Sequence, residues 1–493
     1  MRLFNTLSRS TEDFLPINDK KVGMYACGFT VYDYTHLGHL RKYSMDDVLV
    51  RMLRHEGYDV TFVQNVTDVG HLASDADTGE DKLEKGAKKY GQTVWDVAKK
   101  FEDYFFYSMD KMGNLRPDTS CRATEHIPQQ IEMVKQLEAK GFTYVIEGDG
   151  VYFDTSKLDD YGKLAGLTKE KIEQLKAGAR VEVVEGKRNV TDFALWKFER
   201  PGENRAMSWE SPWSQRGFPG WHIECSAMAI EYLGEQFEIH TGGIDHIDIH
   251  HTNEIAQAES ASGKKPFVKY WVHHNYLRVN NEKMSKSLGN FFTIDDVLER
   301  GFAPPALRLL FLGSHYRSEL NFTWGSLAAA QKAWERLIKQ VGEIRSTILV
   351  EQVEVSSAGQ QFADQFWSAM RDDLDTPKAM ASFWTMLKSD LPDEQKWQLL
   401  LDFDQVLGLG LQSIESHSPE REKDKIIDRS TLSAEVQTLL TQREQAREQK
   451  NWQLSDELRD RLLQLGYRVE DAGQTQNMFF NQKPMEENEY VVV

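Results

Sequence analysis

The spacing of apolar residues changes character twice within the first seventy positions. Residues 22–32, VGMYACGFTVY, are dense in β-branched and aromatic side chains and predict a buried strand running into a loop. Met45, Val48, Leu49, Met52 and Leu53 then fall at i, i+3, i+4, i+7 and i+8, the stripe of an amphipathic helix that Gly57 ends. Residues 59–66, DVTFVQNV, return to strand character. Strand, helix and strand with short joints predict a βαβ unit, and hence an α/β fold built on a Rossmann-like, doubly wound parallel sheet. Ligands of such sheets bind at the carboxyl ends of the strands, where helix N-termini point at them. The polar segment 70–89, GHLASDADTGEDKLEKGAKK, predicts a surface loop whose length favours function or disorder over packing.

Further along, the patterns divide the chain. Residues 1–115 and 200–275 are assigned to the sheet domain. It is split by an inserted module over 116–199, where helical signals alternate with strand-like runs such as VEVVEG and DFALWK. Residues 276–325 form a lysine-bearing loop region. Residues 326–416 have helical periodicity, as in FWSAMRDDLDTPKAMASFWTMLK, and predict an α-helical bundle. HSPEREKDKIIDRS, 417–430, reads as a charged linker, and 431–493 as a small module of two helices ending near Gly466, with a short extended tail. Neither internal repeats nor low-complexity tracts stand out.

A chain of 493 residues is too long for one core, and ordinary domain sizes imply roughly three or four units. Three cysteines cannot form a disulfide framework at this length, so they are core filler or ligands. The net charge of −18 argues against indiscriminate polyanion binding, although it leaves room for a local basic groove. No apolar run approaches the roughly 18 residues of a membrane span, and MRLFNTLSRSTEDF has no apolar signal core. The expectation is a cytoplasmic protein with no membrane partner.

Candidate chemistry begins with HLGH, which puts His36 and His39 at the predicted helix start. There free N–H groups and the helix dipole favour anions, and two imidazoles add donors for a phosphate. By itself the pair is as compatible with surface histidines at a cap. The second motif is KMSKS at 283–287, a cationic loop suited to neutralising a leaving pyrophosphate. Seven of the fourteen histidines crowd between Trp221 and His274, which also points to a site.

Together the two motifs resemble the signature of class I aminoacyl-tRNA synthetases. The text between them is similar to the cysteinyl-tRNA synthetase family: YACGFTVYDYTHLGH, NVTDV, SPWSQRGFPGWHIECSAMAIEYLG, GGIDH, HHTNEIAQAES and VNNEKMSKSLGNF, with DDLDTPKAM beyond. The resemblance spans about 20–470. It implies an ATP-dependent ligase that activates L-cysteine as cysteinyl-adenylate and passes it to the 3′ end of tRNA(Cys), with Mg2+ accompanying ATP and a monomer expected.

The resemblance also implies roles. His36, His39, Lys283 and Lys286 act in catalysis, and Gly38, Gly242, Gly243, Asp245 and Ser285 join the two lysines in holding ATP. Gly28, Thr30, Thr67, Trp221 and His240 shape the cysteine pocket. Cys27, Cys225, His250 and Glu254 hold one Zn2+, although their spacing contains no CxxC and each cysteine taken singly reads as a small buried hydrophobe. Zinc prefers a thiolate to a hydroxyl, so it can separate cysteine from serine where an apolar pocket does so poorly. No motif surrounds Cys121, which reads as core.

The chain departs from the family pattern at Phe29, Thr241 and Thr252, and about eleven extra residues follow Val69 before Asp81-Lys82-Leu83. The C-terminal module resembles the family's anticodon-reading module, but its tail reads Ala472-Gly473-Gln474-Thr475-Gln476-Asn477-Met478. Arg443, Arg447, Arg459 and Arg461 face either phosphates or solvent. Two alternatives share parts of the pattern, a ligase joining cysteine to an amino sugar and a noncatalytic tRNA-binding paralogue. The long C-terminal half argues against the first, and the intact motifs and four ligand positions against the second.

Overall fold

The computed structural model describes residues 1–69, 81–167, 185–286, 288–348, 353–414, 429, 432–449, 451–465, 467–472 and 475–480. The extra residues after Val69, most of the VEVVEG run and most of the expected 417–430 linker lie outside them.

Five parallel strands form the central sheet: β1 (Lys21–Thr30), β2 (Asp59–Thr67), β3 (Thr119–Arg122), β4 (Phe237–Gly243) and β5 (Val268–His274), in the order β5-β4-β1-β2-β3. Helix α1 (Leu37–His55) joins β1 to β2, α2 (Trp221–Leu233) leads into β4, and α3 (His250–Ser262) joins β4 to β5. Strand order reverses between β1 and β4, so the crevice expected of a doubly wound sheet opens at their carboxyl ends. The predicted βαβ unit is β1-α1-β2. The core beneath it is apolar, with Tyr25, Val63, Met228, Val268 and Trp271 all fully enclosed.

Strand β3 lies within 116–199, so the sheet takes one strand from the segment assigned to the insertion. After it the inserted module builds a separate antiparallel sheet from Thr143–Ile146, Gly150–Phe153, Phe193–Phe198 and Gly217–Pro219, which ends at 219 rather than 199. A three-stranded sheet, Leu277–Val279, Glu282–Lys283 and Leu320–Phe322, carries the lysine loop.

Contacts divide the chain into two compact units. The first comprises 1–337 with 350–413, so most of the expected bundle belongs with the sheet domain. Its helices Ser357–Arg371, Thr376–Leu387 and Asp393–Leu407 pack around a Phe366–Phe403 stack with centroids 3.9 Å apart. A buried guanidinium ties α1 to them. Arg308 pairs with Asp47, donates to the Leu407 carbonyl at 2.6 Å and reaches Asn114 Oδ1 at 2.7 Å. The second unit, 338–349 with 414–493, has its own small core of Val436, Leu439, Leu440, Leu458 and Leu462 between the helices Ala434–Glu448 and Trp452–Gln464, followed by the hairpin Tyr467–Ala472 and Thr475–Phe480. Arg443 is buried there and cannot face a phosphate, whereas Arg459 and Arg461 are exposed and Arg447 is half-buried. Among the described residues no helix is long and apolar enough to cross a membrane.

Candidate active site

Pairing of β1 with β2 is regular to Ala26 and resumes at Phe29, and the irregularity between them re-aims Cys27 and Gly28. A Cβ on Gly28 would overlap the Asn65 carbonyl oxygen, and the Gly28 N–H donates to Asn65 Oδ1 at 2.7 Å, so the backbone passes where only glycine fits. Cys27 thereby meets side chains from α2 and α3. Cys225 Sγ lies 4.0 Å away, and His250 and Glu254, one turn apart on α3, approach from beneath with Nε2 and Oε1 separated by 2.9 Å. The donor atoms of these four buried residues lie within 4.8 Å of one another. Burial opposes the Cys27 thiolate, but the proton shared with Cys225 and the nearby His251, His250 and His240 hold its pKa well below the usual thiol range. Cys225 is pushed the other way. Burial also opposes the His250 imidazolium, yet Glu254 and Cys27 outweigh it and raise the ring to about 10. Without a cation only Cys27 is favoured as an anion, so a metal held here would have to displace the protons of Cys225 and His250.

Cys27 and Glu254 also form a second foursome with His240 and His251. His251 Nε2 lies 3.3 Å from Cys27 Sγ, and His240 Nε2 lies 2.9 Å from Glu254 Oε2. His240, expected to shape the cysteine pocket, is fully buried behind the cluster, stacked on Trp271. Cys121 is core, as expected, and burial pushes its thiol up to about 12.

The two HLGH imidazoles cap their own helix. His36 is the N-cap residue of α1, its Nδ1 accepting from the His39 N–H at 3.3 Å, while His39 Nδ1 accepts from the His36 N–H at 3.4 Å. The rings stack with centroids 3.6 Å apart. Burial lowers His36 to about 4, against the opposing pull of its own backbone and of Asp33 and Asp245. It also lowers His39 well below its ordinary value, helped by His36 and Lys42. Both rings are therefore neutral, and with Nδ1 accepting, each carries its proton on Nε2 as a free-edge donor. The expected donors are present, as neutral N–H groups rather than imidazolium ions.

A cavity of about 440 Å³ joins these parts. Cys27, Gly28, Thr30, His36, Gly38, His39, Thr67, Trp221, Cys225, Gly243, Asp245, His250 and Lys283 all line it. Gly242 lies just behind, where a Cβ would strike His251 and His246. The lysine loop is pinned through Asn290, whose Oδ1 accepts from the Ser285 N–H at 2.7 Å and whose Nδ2 donates to the Lys283 carbonyl at 3.1 Å. Lys286 does not line the cavity but forms an ion pair with Asp33, just upstream of HLGH. Asp33, Asn65 and His246 went unnoticed in the sequence, although Asp33 stands beside a motif and His246 within the histidine-rich stretch.

Comparison with known proteins places these features. A family model described as tRNA synthetases class I (C) catalytic domain matches residues 13–332, and the fold is shared with methionyl-tRNA synthetase from Mycobacterium tuberculosis in complex with methionyl-adenylate. That structure has a TM-score of 0.55 at 15% identity, over 79% of this chain and 88% of that one. Sheet order, motifs and model together define a class I aminoacyl-tRNA synthetase. A second model, Cysteinyl-tRNA ligase anticodon binding domain, matches 429–478, which includes the altered tail as far as Met478. Among curated relatives, cysteine–tRNA ligase from Treponema denticola is 44% identical over 96% of this chain and 99% of its own length. Cysteine–tRNA ligase 1 from Burkholderia lata is 43% identical over 97% of each chain, and the Thermus thermophilus enzyme is 42% identical over 95% and 97%. The chain belongs to the cysteine–tRNA ligase family.

Proposed function

We propose that the chain is an ATP-dependent cysteine–tRNA ligase acting in the cytoplasm, and that one Zn2+, held by Cys27, Cys225, His250 and Glu254, selects its amino acid. The observation that carries this reading is the convergence of those four donors, three of which line the cavity that also takes in the capped HLGH turn. Two sulfurs, an imidazole and a carboxylate suit zinc and not magnesium. This foursome is preferred to the one with His240 and His251 because it supplies two sulfur donors and because Cys27, Cys225 and His250 reach the cavity. When bound, the ion supplies a soft Lewis-acid position that prefers a thiolate over the serine hydroxyl.

The cysteine carboxylate attacks the α-phosphorus of ATP and pyrophosphate leaves. The Nε2–H groups of His36 and His39 donate to the phosphate oxygens where charge develops. Lys283 neutralises the leaving pyrophosphate, and Lys286 joins it once its ion pair with Asp33 opens. Magnesium accompanies the nucleotide. Asp245 accepts from ribose hydroxyls, while Gly38, Gly242 and Gly243 let backbone approach the nucleotide. The terminal ribose hydroxyl of tRNA(Cys) then attacks the adenylate carbonyl, forming the ester and releasing AMP.

The direct test follows labelled cysteine, with ATP and total tRNA, into acid-precipitable RNA. Incorporation of cysteine and not of serine is the expected result, and no incorporation from either by folded protein overturns the reading. Because 430–493 lies in the separate second unit, its deletion is expected to lower tRNA charging at least about tenfold while cysteine-dependent pyrophosphate exchange stays within about twofold. Loss of both in a folded truncation contradicts that division.

A further inference from the structure

One wall of the cavity carries charge that neither the metal ligands nor the phosphate-facing motifs use. Lys42 and Asp46 stand one turn apart on α1, with Lys42 Nζ 2.7 Å from Asp46 Oδ2 and donating to the Cys27 carbonyl at 2.9 Å. Asp46 Oδ1 lies 2.8 Å from His274 Nε2, and Lys42 and His274 both line the cavity. Burial works against the Asp46 carboxylate, but Lys42 and His274 prevail and hold it below the usual range. An ionised Asp46 can only accept, so the neutral His274 ring keeps its proton on Nε2 and carries a lone pair on Nδ1. That atom is buried, in a residue 4% exposed, and has no hydrogen-bond partner among the described residues. Buried acceptors are normally paired, so this one points to a missing donor.

Position says which substrate brings it. Adjacent residues of a strand face opposite ways. His273 turns towards α3, where its Nε2 lies 2.8 Å from His251 Nδ1, and His274 turns to the α1 side, away from the metal ligands on α2 and α3. In the sheet His274 is in register with Gly243, two residues before Asp245, and Tyr276 follows on the same wall. This is the nucleotide side of the cavity.

We propose that His274, fixed in one tautomer by Asp46, accepts a hydrogen bond from the bound nucleotide, from either the exocyclic amine of adenine or a ribose hydroxyl. The assignment rests on the reading that the cavity binds ATP. It makes His274 a specificity residue for the nucleotide, with Asp46 and Lys42 as its positioning residues.

The test is cysteine-dependent pyrophosphate exchange by the full-length, zinc-loaded chain, using ATP, purine riboside triphosphate, 2′-deoxyATP and 3′-deoxyATP. His274→Gln retains an amide that reaches Asp46 and loses the acceptor at Nδ1. Its KM for ATP is expected to rise roughly three- to tenfold, with KM for cysteine and zinc content unchanged. For the one analogue that lacks the donor, wild type and variant should show the same KM, which identifies amine or hydroxyl. An unchanged KM for ATP, an equal loss with every analogue, or a rise in KM for cysteine overturns the proposal. Should the variant not fold, wild type alone decides: equal KM values for ATP and all three analogues also overturn it. Should wild type show no exchange at all, the proposed function falls, and calorimetric binding of the same four nucleotides to wild type and variant still decides the role of His274.

Discussion

Replacing Cys225 with serine is expected to abolish the proposed zinc binding and to lower cysteine activation at least about a hundredfold, while leaving tRNA binding within about twofold. Cys225 projects from α2 to within 4.0 Å of Cys27, and the two sulfurs are the soft half of the donor set. A serine hydroxyl is a hard ligand that does not ionise near neutral pH, so the variant leaves three donors, only one of them a thiolate. The residue is 2% exposed among apolar neighbours, and serine is small enough to be enclosed there, so loss of the metal and not of the fold is the expected effect. Metal analysis of the purified variant, pyrophosphate exchange and a filter-binding assay with tRNA check the three parts separately. Unchanged zinc content with unchanged activation would remove these ligands from the reading.

The second large effect is expected at His39. His39→Ala should lower the rate of adenylate formation by about 10²–10³, the usual range for losing one donor aimed at developing charge. The same change removes one half of the reciprocal cap of α1, which costs only about 1 kcal/mol of stability. Exchange kinetics beside a thermal melt separate the two roles. A fall in activity matched by extensive unfolding would reduce His39 to a helix cap. Because burial holds His36 at about 4 and His39 well below its ordinary value, neither is expected to give the activity profile an inflection near pH 6.5.

These two residues mark the limits of reading the chain unfolded. The strand, helix and strand around HLGH were legible because β-branched and aromatic residues crowd the strands and apolar residues recur at helical spacing between them. The proposed ligand set came only from family resemblance, since Cys27 and Cys225 are brought together by a strand irregularity and a helix nearly two hundred residues apart. Strand β3 escaped because Thr-Ser-Cys-Arg is short and polar and is a strand by virtue of its partner β2. Likewise nothing in the sequence near Asp46 or His274 announces their contact, which arises where α1 crosses the end of β5. Arg443 read as facing either phosphate or solvent because its neighbours are polar, whereas packing of its helix turns it inward.

The Arg308 guanidinium sets a practical limit on dissecting this enzyme. It serves Asp47 on the helix that carries HLGH and the terminal carbonyl of Leu407 at once, and His55, at the far end of that helix, stacks on Trp367 with centroids 3.7 Å apart. A recombinant fragment that keeps the sheet and both sequence motifs but stops before residue 357 would strip the Leu407 carbonyl from this buried cation and uncover the His55 ring at the far end of the helix. The smallest portion worth expressing on its own therefore extends through Leu407, well beyond the last residue that touches the cavity.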